Sequence, residues 1–179
     1  MKKNIRWIIT ITLLAFLITV IFTLISSSLL EDVNIFIGII IILIFIILGV
    51  LFDIIGVSVA TSDPEPFHAM ASKKVHGANT AKRMIKNADK VSSFCNDVIG
   101  DICNIISGSA GLVVATTIAI RYQYDLTITT LLITSIIAAL TIGGKALGKG
   151  FAIKESEYIV NKVTKILNLF KKHKKKKGR

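Results

Sequence analysis

The chain has 179 residues, of which 53% are hydrophobic, with a mean hydropathy of +0.70 and a formal net charge of +11. Its apolar residues are gathered into long blocks instead of being spread among charges, which excludes an ordinary soluble domain. No nucleophile–base pair, phosphate-binding loop or haem motif accompanies them, so nothing supports an enzyme.

The first block, residues 7–30, holds 24 positions without a charge, after a basic start of Lys2, Lys3 and Arg6. At ~1.5 Å per residue a helix of this length spans about 30 Å, the thickness of bilayer hydrocarbon. A secretory leader is the rival reading, but its apolar part is usually ~7–15 residues long and "LISSSLL" makes a poor cleavage site. A retained helix is expected, and on either reading the next helix starts outside. Glu31 and Asp32 form a short outer loop, and residues 33–52 are again without charge.

Asp53, Ser58, Thr61 and Ser62 close this second helix before Pro64 and Pro66, which lack an amide donor and stop it. A short helix is predicted over 66–75, with Gly77 breaking it. Another starts near Asn79 or Thr80, with Ala81, Met84, Ile85, Ala88, Val91, Cys95 and Val98 spaced three or four apart. Lysines and aspartates fill the other face, as in a helix lying on a membrane or on another protein face. It merges into a third uncharged block, 102–120, and a fourth follows at 126–144. The closing segment is amphipathic again through Tyr158, Ile159, Val163, Ile166, Leu167 and Phe170, and a disordered basic tail is expected after it.

The pattern predicts an all-α membrane protein with four transmembrane helices: one extra N-terminal helix plus a three-helix core, with amphipathic juxtamembrane helices. Residues 1–34 make the first helix and outer loop. Residues 35–160 make the membrane domain, with a cytoplasmic belt at 64–98, and residues 161–179 make the amphipathic end and tail. Basic residues cluster before the first block, within 61–98 and in the tail, so the positive-inside rule puts both termini in the cytoplasm, at a plasma membrane. Lys171, Lys172, Lys174, Lys175, Lys176, Lys177 and Arg179 then suit anionic lipid, at about 1 kcal/mol per base near the surface. No nucleic-acid motif or interleaved aromatic supports a nucleic-acid partner. Cys95 and Cys103 are expected as free thiols, and their spacing does not suit zinc.

Polar residues within or beside the blocks form a short list: Asp53, Ser58, Thr61, Ser62, Asp97, Asp101, Asn104, Ser107, Ser109, Lys145 and Lys149. Taken singly, each suits an interfacial position or helix packing, as do "SGSAG" at 107–111 and the Gly144–Gly148 pair. Taken together, they suit a polar cavity whose oxygen atoms favour a hard cation such as Mg²⁺ or Na⁺.

The stretch "SKKVHGANTAKRMIKNADKVSSFCNDVIGDICNIISGSAG" with "GKALGKGFAIKESEYI" resembles the membrane domain of the CorB/CorC and cyclin-M (CNNM) magnesium transporters. Gly77 and Ala81 match a "Gly-x-x-x-Ala" pattern, "ICNII" with Asn104 matches a "Leu-x-Asn-Ile" motif, and Gly144, Lys149 and Glu157 fall in register. The likeness covers roughly residues 52–160. It implies a three-helix domain with an amphipathic belt, usually a homodimer, and a Mg²⁺ site to which Ser58 and Asn104 correspond. The family's metal-binding glutamate falls on Lys145, its proline falls on Gly148, and its nucleotide-binding CBS pair has no counterpart after Glu157. An ammonium at the metal position calls for Asp53 or Asp101 as its partner. Two functions follow as expectations: a divalent-cation transport domain, or a degenerate non-transporting member acting as scaffold, dimer partner or regulator. A small unrelated helical bundle is the third reading.

Overall fold

The computed structural model describes residues 2–30 and 34–176, and among them every regular element is a helix. α1 (Lys2–Leu30) and α2 (Ile35–Thr61) precede three short helices, α3 (Pro64–Ser72), α4 (Ala78–Lys86) and α5 (Ala88–Ser93). A π-helix, Phe94–Gly100, joins α5 to α6 (Asp101–Tyr122); α7 (Leu126–Lys154) and α8 (Ser156–Lys176) complete the order.

Local chemistry sets the helix starts. The side chains of Asn34, Asp63 and Asp125 accept hydrogen bonds from the amides of Phe36, Glu65 and Ile128 at 3.3, 2.9 and 2.8 Å. Each satisfies an amide that the first helical turn leaves without a carbonyl. Pro64 then occupies an initial position where its missing donor costs nothing. Gln123, in the left-handed conformation with φ 55°, ends α6, and α7 begins three residues later.

Among the described residues, three helices are long and apolar enough to cross a membrane: Ile35–Thr61, the continuous rod Ala88–Tyr122, and Leu126–Lys154. They pack on one another as a three-helix core. Their outer faces expose large apolar side chains, such as Leu43, Ile47 and Leu51 on α2 and Leu131, Ile136 and Leu140 on α7. An apolar surface this extensive is unsuited to water; the chain has the build of a multi-pass membrane protein. α1 lies against the rod, where Ile11, Ala15 and Ile18 pack on Val98, Ile102 and Ile106. Its described apolar stretch, Ile8–Ile21, is shorter than a crossing needs, and Glu31 and Asp32 lie outside the described residues.

Lipid tails are as apolar as leucine, so close packing rather than water exclusion must hold crossing helices together. α2 and α7 meet in one register: Val50 on Gly144, Ile54 on Gly148, and Ser58 on Ala152. Every pair is separated by the same 94 residues, which makes the two helices parallel with every fourth residue in contact. A Cβ on Gly144 would stand 2.9 Å from Val50 Cγ2, and one on Gly148 2.8 Å from Ile54 Cγ1. Gly111 of α6 leaves the same kind of space for Ile137 of α7.

At one end of the core, α3, α4 and α8 form a second layer. Phe67, only 1% exposed, sits with Val59, Ala81 and Val160 and is flanked by Met70, Met84 and Ile85. Away from lipid, burying such a side chain is worth about 1.5–3 kcal/mol. Gly77, at φ 95°, turns the chain into α4, and a Cβ on it would stand 3.4 Å from the backbone of Thr164 and Lys165. Thr80 Oγ1 donates to Asn168 Oδ1 at 3.1 Å, tying α4 to α8. Lys82, Arg83 and Lys86 are exposed.

The sequence predicts one unbroken helix from residue 79 or 80 into the third crossing, but the structure divides it. Asn87, at φ −118° and ψ 36°, ends α4, and the π-helix follows α5. The expected disorder after residue 170 also gives way to helix, since α8 runs to Lys176. Lysine is a good helix former, and cations suit the negative end of the helix dipole. The side chains proposed to meet lipid, from Lys171 to Arg179, lie outside the described residues.

Gly148→Ala should lower the thermal unfolding midpoint in detergent, at a cost of about 1–3 kcal/mol for overpacking against Ile54. Gly143, with nothing within 4 Å of its would-be Cβ, is the control: Gly143→Ala should leave the midpoint unchanged or raise it.

Candidate functional site

Gly49, Asp53 and Gly56 are spaced four and three apart and share one face of α2. That face meets the π-helix and the start of α6. A Cβ on Gly49 would stand 3.3 Å from Cys103 Cβ and 3.6 Å from the Gly100 carbonyl oxygen. A Cβ on Gly56 would occupy the place of the Asn96 amide and approach Cys95 Cβ to 3.1 Å. Moving from Gly49 to Gly56 along α2 therefore means moving back from Gly100 to Asn96, so the two elements run antiparallel. Only glycine lets them come this close.

Asp53 enters the interface between these two contacts and is 4% exposed. Its Oδ2 is buried without a hydrogen-bond partner, and so is Asn96 Oδ1. The Asn96 Nδ2 donates to Ser92 Oγ at 3.3 Å, which turns the amide oxygen the other way. Asp53 is thus three residues, about one turn of α2, from the glycine against which the Asn96 amide packs, and neither acceptor has a donor assigned. Leaving one such atom unsatisfied costs about 1–3 kcal/mol, more when charged.

Lys145 approaches the same level from α7. Its Nζ lies 3.8 Å from Asp101 Oδ1, with side-chain exposures of 20% for the lysine and 63% for the aspartate. It also lies 3.7 Å from where a Gly100 Cβ would be. Of the two acids expected as partners, the structure pairs Lys145 with Asp101. Asp101 reaches outward, so the pair is screened and worth about 0–1 kcal/mol.

The other sequence-predicted residues are occupied or face elsewhere. Ser58 is fully buried, and its hydroxyl donates to the Ala152 carbonyl at 3.3 Å. Thr61 is exposed and bonds back to Val57 at 2.9 Å. Ser62 is buried with its hydroxyl unpartnered. Ser107 is buried and donates to the Asn104 carbonyl at 2.9 Å, while Asn104 itself is exposed. Cys95 and Cys103 are free and buried.

The resemblance points to Ser58 and Asn104 as a metal pair, and the structure does not bring them together. The antiparallel register sets Asn104 beside the Gly49 level, whereas Ser58 lies nine residues farther along α2, or roughly 13 Å at 1.5 Å per residue. Among the described residues, no three His, Cys, Asp or Glu side chains converge on a common point either. Asn96 is the residue that sequence reasoning passed over. Gly49 and Gly56, a heptad apart on either side of Asp53, were the available signal that another backbone comes close there.

Lys145→Met should shift the unfolding free energy by no more than about 1 kcal/mol, because Asp101 is left in a solvated position; denaturant titration in detergent would read this. No family model, no curated protein and no solved structure matches the chain.

Proposed function

We propose that this is a multi-pass membrane protein that handles an inorganic cation inside its helix bundle, on a scaffold resembling the CorB/CorC and cyclin-M membrane domain. The observation that carries this reading is Asp53, a carboxylate 4% exposed within a crossing helix, one of whose oxygens has no partner. An ionisable group at such depth costs at least a few kcal/mol, and function is the usual reason for keeping one. The ion lies away from the family's position, since the register holds Ser58 and Asn104 apart and Lys145 takes the place of the acidic ligand. In this reading α1 is a fourth crossing, both termini are cytoplasmic, the membrane is the plasma membrane, the protein is a homodimer, and the basic tail rests on anionic lipid.

The Lys145–Asp101 pair favours a second reading, in which the ammonium replaces the metal outright. The chain is then a non-transporting scaffold, dimer partner or regulator. Flux of Mg²⁺, Na⁺ and K⁺ into liposomes containing the purified protein separates the two, with Lys145→Glu measured alongside. Cation movement above that of protein-free liposomes is expected. Its absence for all three ions, in both proteins, would leave the non-transporting reading.

A further inference from the structure

We propose that Asp53 Oδ2 and Asn96 Oδ1 are two ligands of a seat for one monovalent inorganic cation, of the Na⁺ or K⁺ class, between α2 and the π-helix. This deepens the proposed function and rests on its claim that the bundle handles a cation.

The first support is the pairing of like atoms. Both oxygens are buried and both lack a hydrogen-bond partner. An ionised carboxylate and an amide oxygen can only accept, so neither can satisfy the other. A cation between them satisfies both at once, and hard oxygen donors are the ligands that Na⁺ and K⁺ take.

The second support is charge balance. Lys145 pairs with the exposed Asp101 at 3.8 Å, at the edge of the interface, and not with Asp53. Asp53 then leaves one negative charge in a low-dielectric interior, where an unbalanced ion is costly. One monovalent cation restores neutrality, whereas a divalent ion would exchange one excess charge for the opposite one. Lys145 adds to the discrimination. Its ammonium stands 3.7 Å from the would-be Gly100 Cβ, on the wall of the same interface, and repels a doubly charged ion more strongly.

The third support is the backbone. Asn96 belongs to a π-helix, an irregularity that recurs at functional sites. Irregular backbone within a membrane is tolerated where it lines a polar site, and carbonyls released there coordinate Na⁺ in transporters. Gly56 contributes by omission, since any Cβ at this position would displace the Asn96 amide.

The test is thermal unfolding of the full chain in detergent, in NaCl, KCl or MgCl₂ against choline chloride at equal ionic strength, with binding of radiolabelled sodium measured in parallel. The expected result is a midpoint raised by several degrees in NaCl or KCl, saturating with concentration, and matched by neither MgCl₂ nor choline. Asp53→Asn should unfold as wild type does in choline and lose the alkali response. Asn96→Ala should keep the response but require about tenfold more salt, and Lys145→Met should require less. Should Asp53→Asn not fold, Asn96→Ala and the sodium-binding assay still decide. The seat is refuted if wild type unfolds alike in all the salts, as it would were the Asn96 amide turned to donate to Asp53. It is equally refuted if Asp53→Asn keeps the alkali response, or if the midpoint follows pH alone, the charge on Asp53 then being balanced by a proton. Alkali stabilisation without flux in liposomes would remove the transport reading and leave the seat. Flux above that of protein-free liposomes, with wild type unfolding alike in all the salts, would remove the seat and leave the transport reading.

Discussion

Two helices in lipid approach each other only as far as their side chains permit, and this limit governs the whole bundle. α2 is the central element, bounded by α7 on one side and by the π-helix and α6 on another. Gly144 and Gly148 set its distance from α7, and Gly49 and Gly56 set its distance from the antiparallel rod. Since apolar burial gains little over lipid contact, van der Waals fit at these points replaces the hydrophobic drive that holds the outer layer around Phe67. The molecule thus joins two regimes of stability, one of shape within the core and one of water exclusion beneath it.

Close approach also explains where charge resides. Side chains too large for the α2–rod interface are excluded by three glycines, Gly49, Gly56 and Gly100, leaving room for a polar group between them. Asp53 occupies that room, while Lys145 enters beside Gly100 and turns to Asp101 instead. Lys145 is therefore met at the edge of the interface by an exposed acid, while the buried Asp53 has no assigned counter-charge. That asymmetry distinguishes this bundle from a packing unit in which every polar group is answered.

Features set by neighbouring residues were legible in the sequence. The uncharged blocks gave the three long helices, Pro64 ended α2, Gly77 made the turn before α4, and the Gly144–Gly148 pair marked a close contact. What depended on distant register was not legible. Ser58 and Asn104 are both small polar residues on core helices, and nothing in their own surroundings says that the antiparallel offset holds them apart. Asn96 carries no mark of its own in the sequence, because apolar spacing of three and four carries no trace of a turn closed by five. The fourth crossing rests on a hydrophobic run in α1 of which only Ile8–Ile21 is described as apolar helix. The lysine run read as disorder by composition, although lysine itself favours the helix that α8 continues to Lys176.

A π-helix holds one residue more than the α-helix it interrupts, and each added residue turns everything beyond it by about 100° around the axis. The seven residues of Phe94–Gly100 thus act as a keyed coupling between two lengths of rod. Asn96 lies within this stretch, and Asp101 and the rest of α6 lie beyond it. A residue gained or lost in this stretch would turn one half of the rod by about 100° against the other, so that either Asn96 would leave the α2 face that carries Asp53 or α6 would leave its seats on α2 and α7.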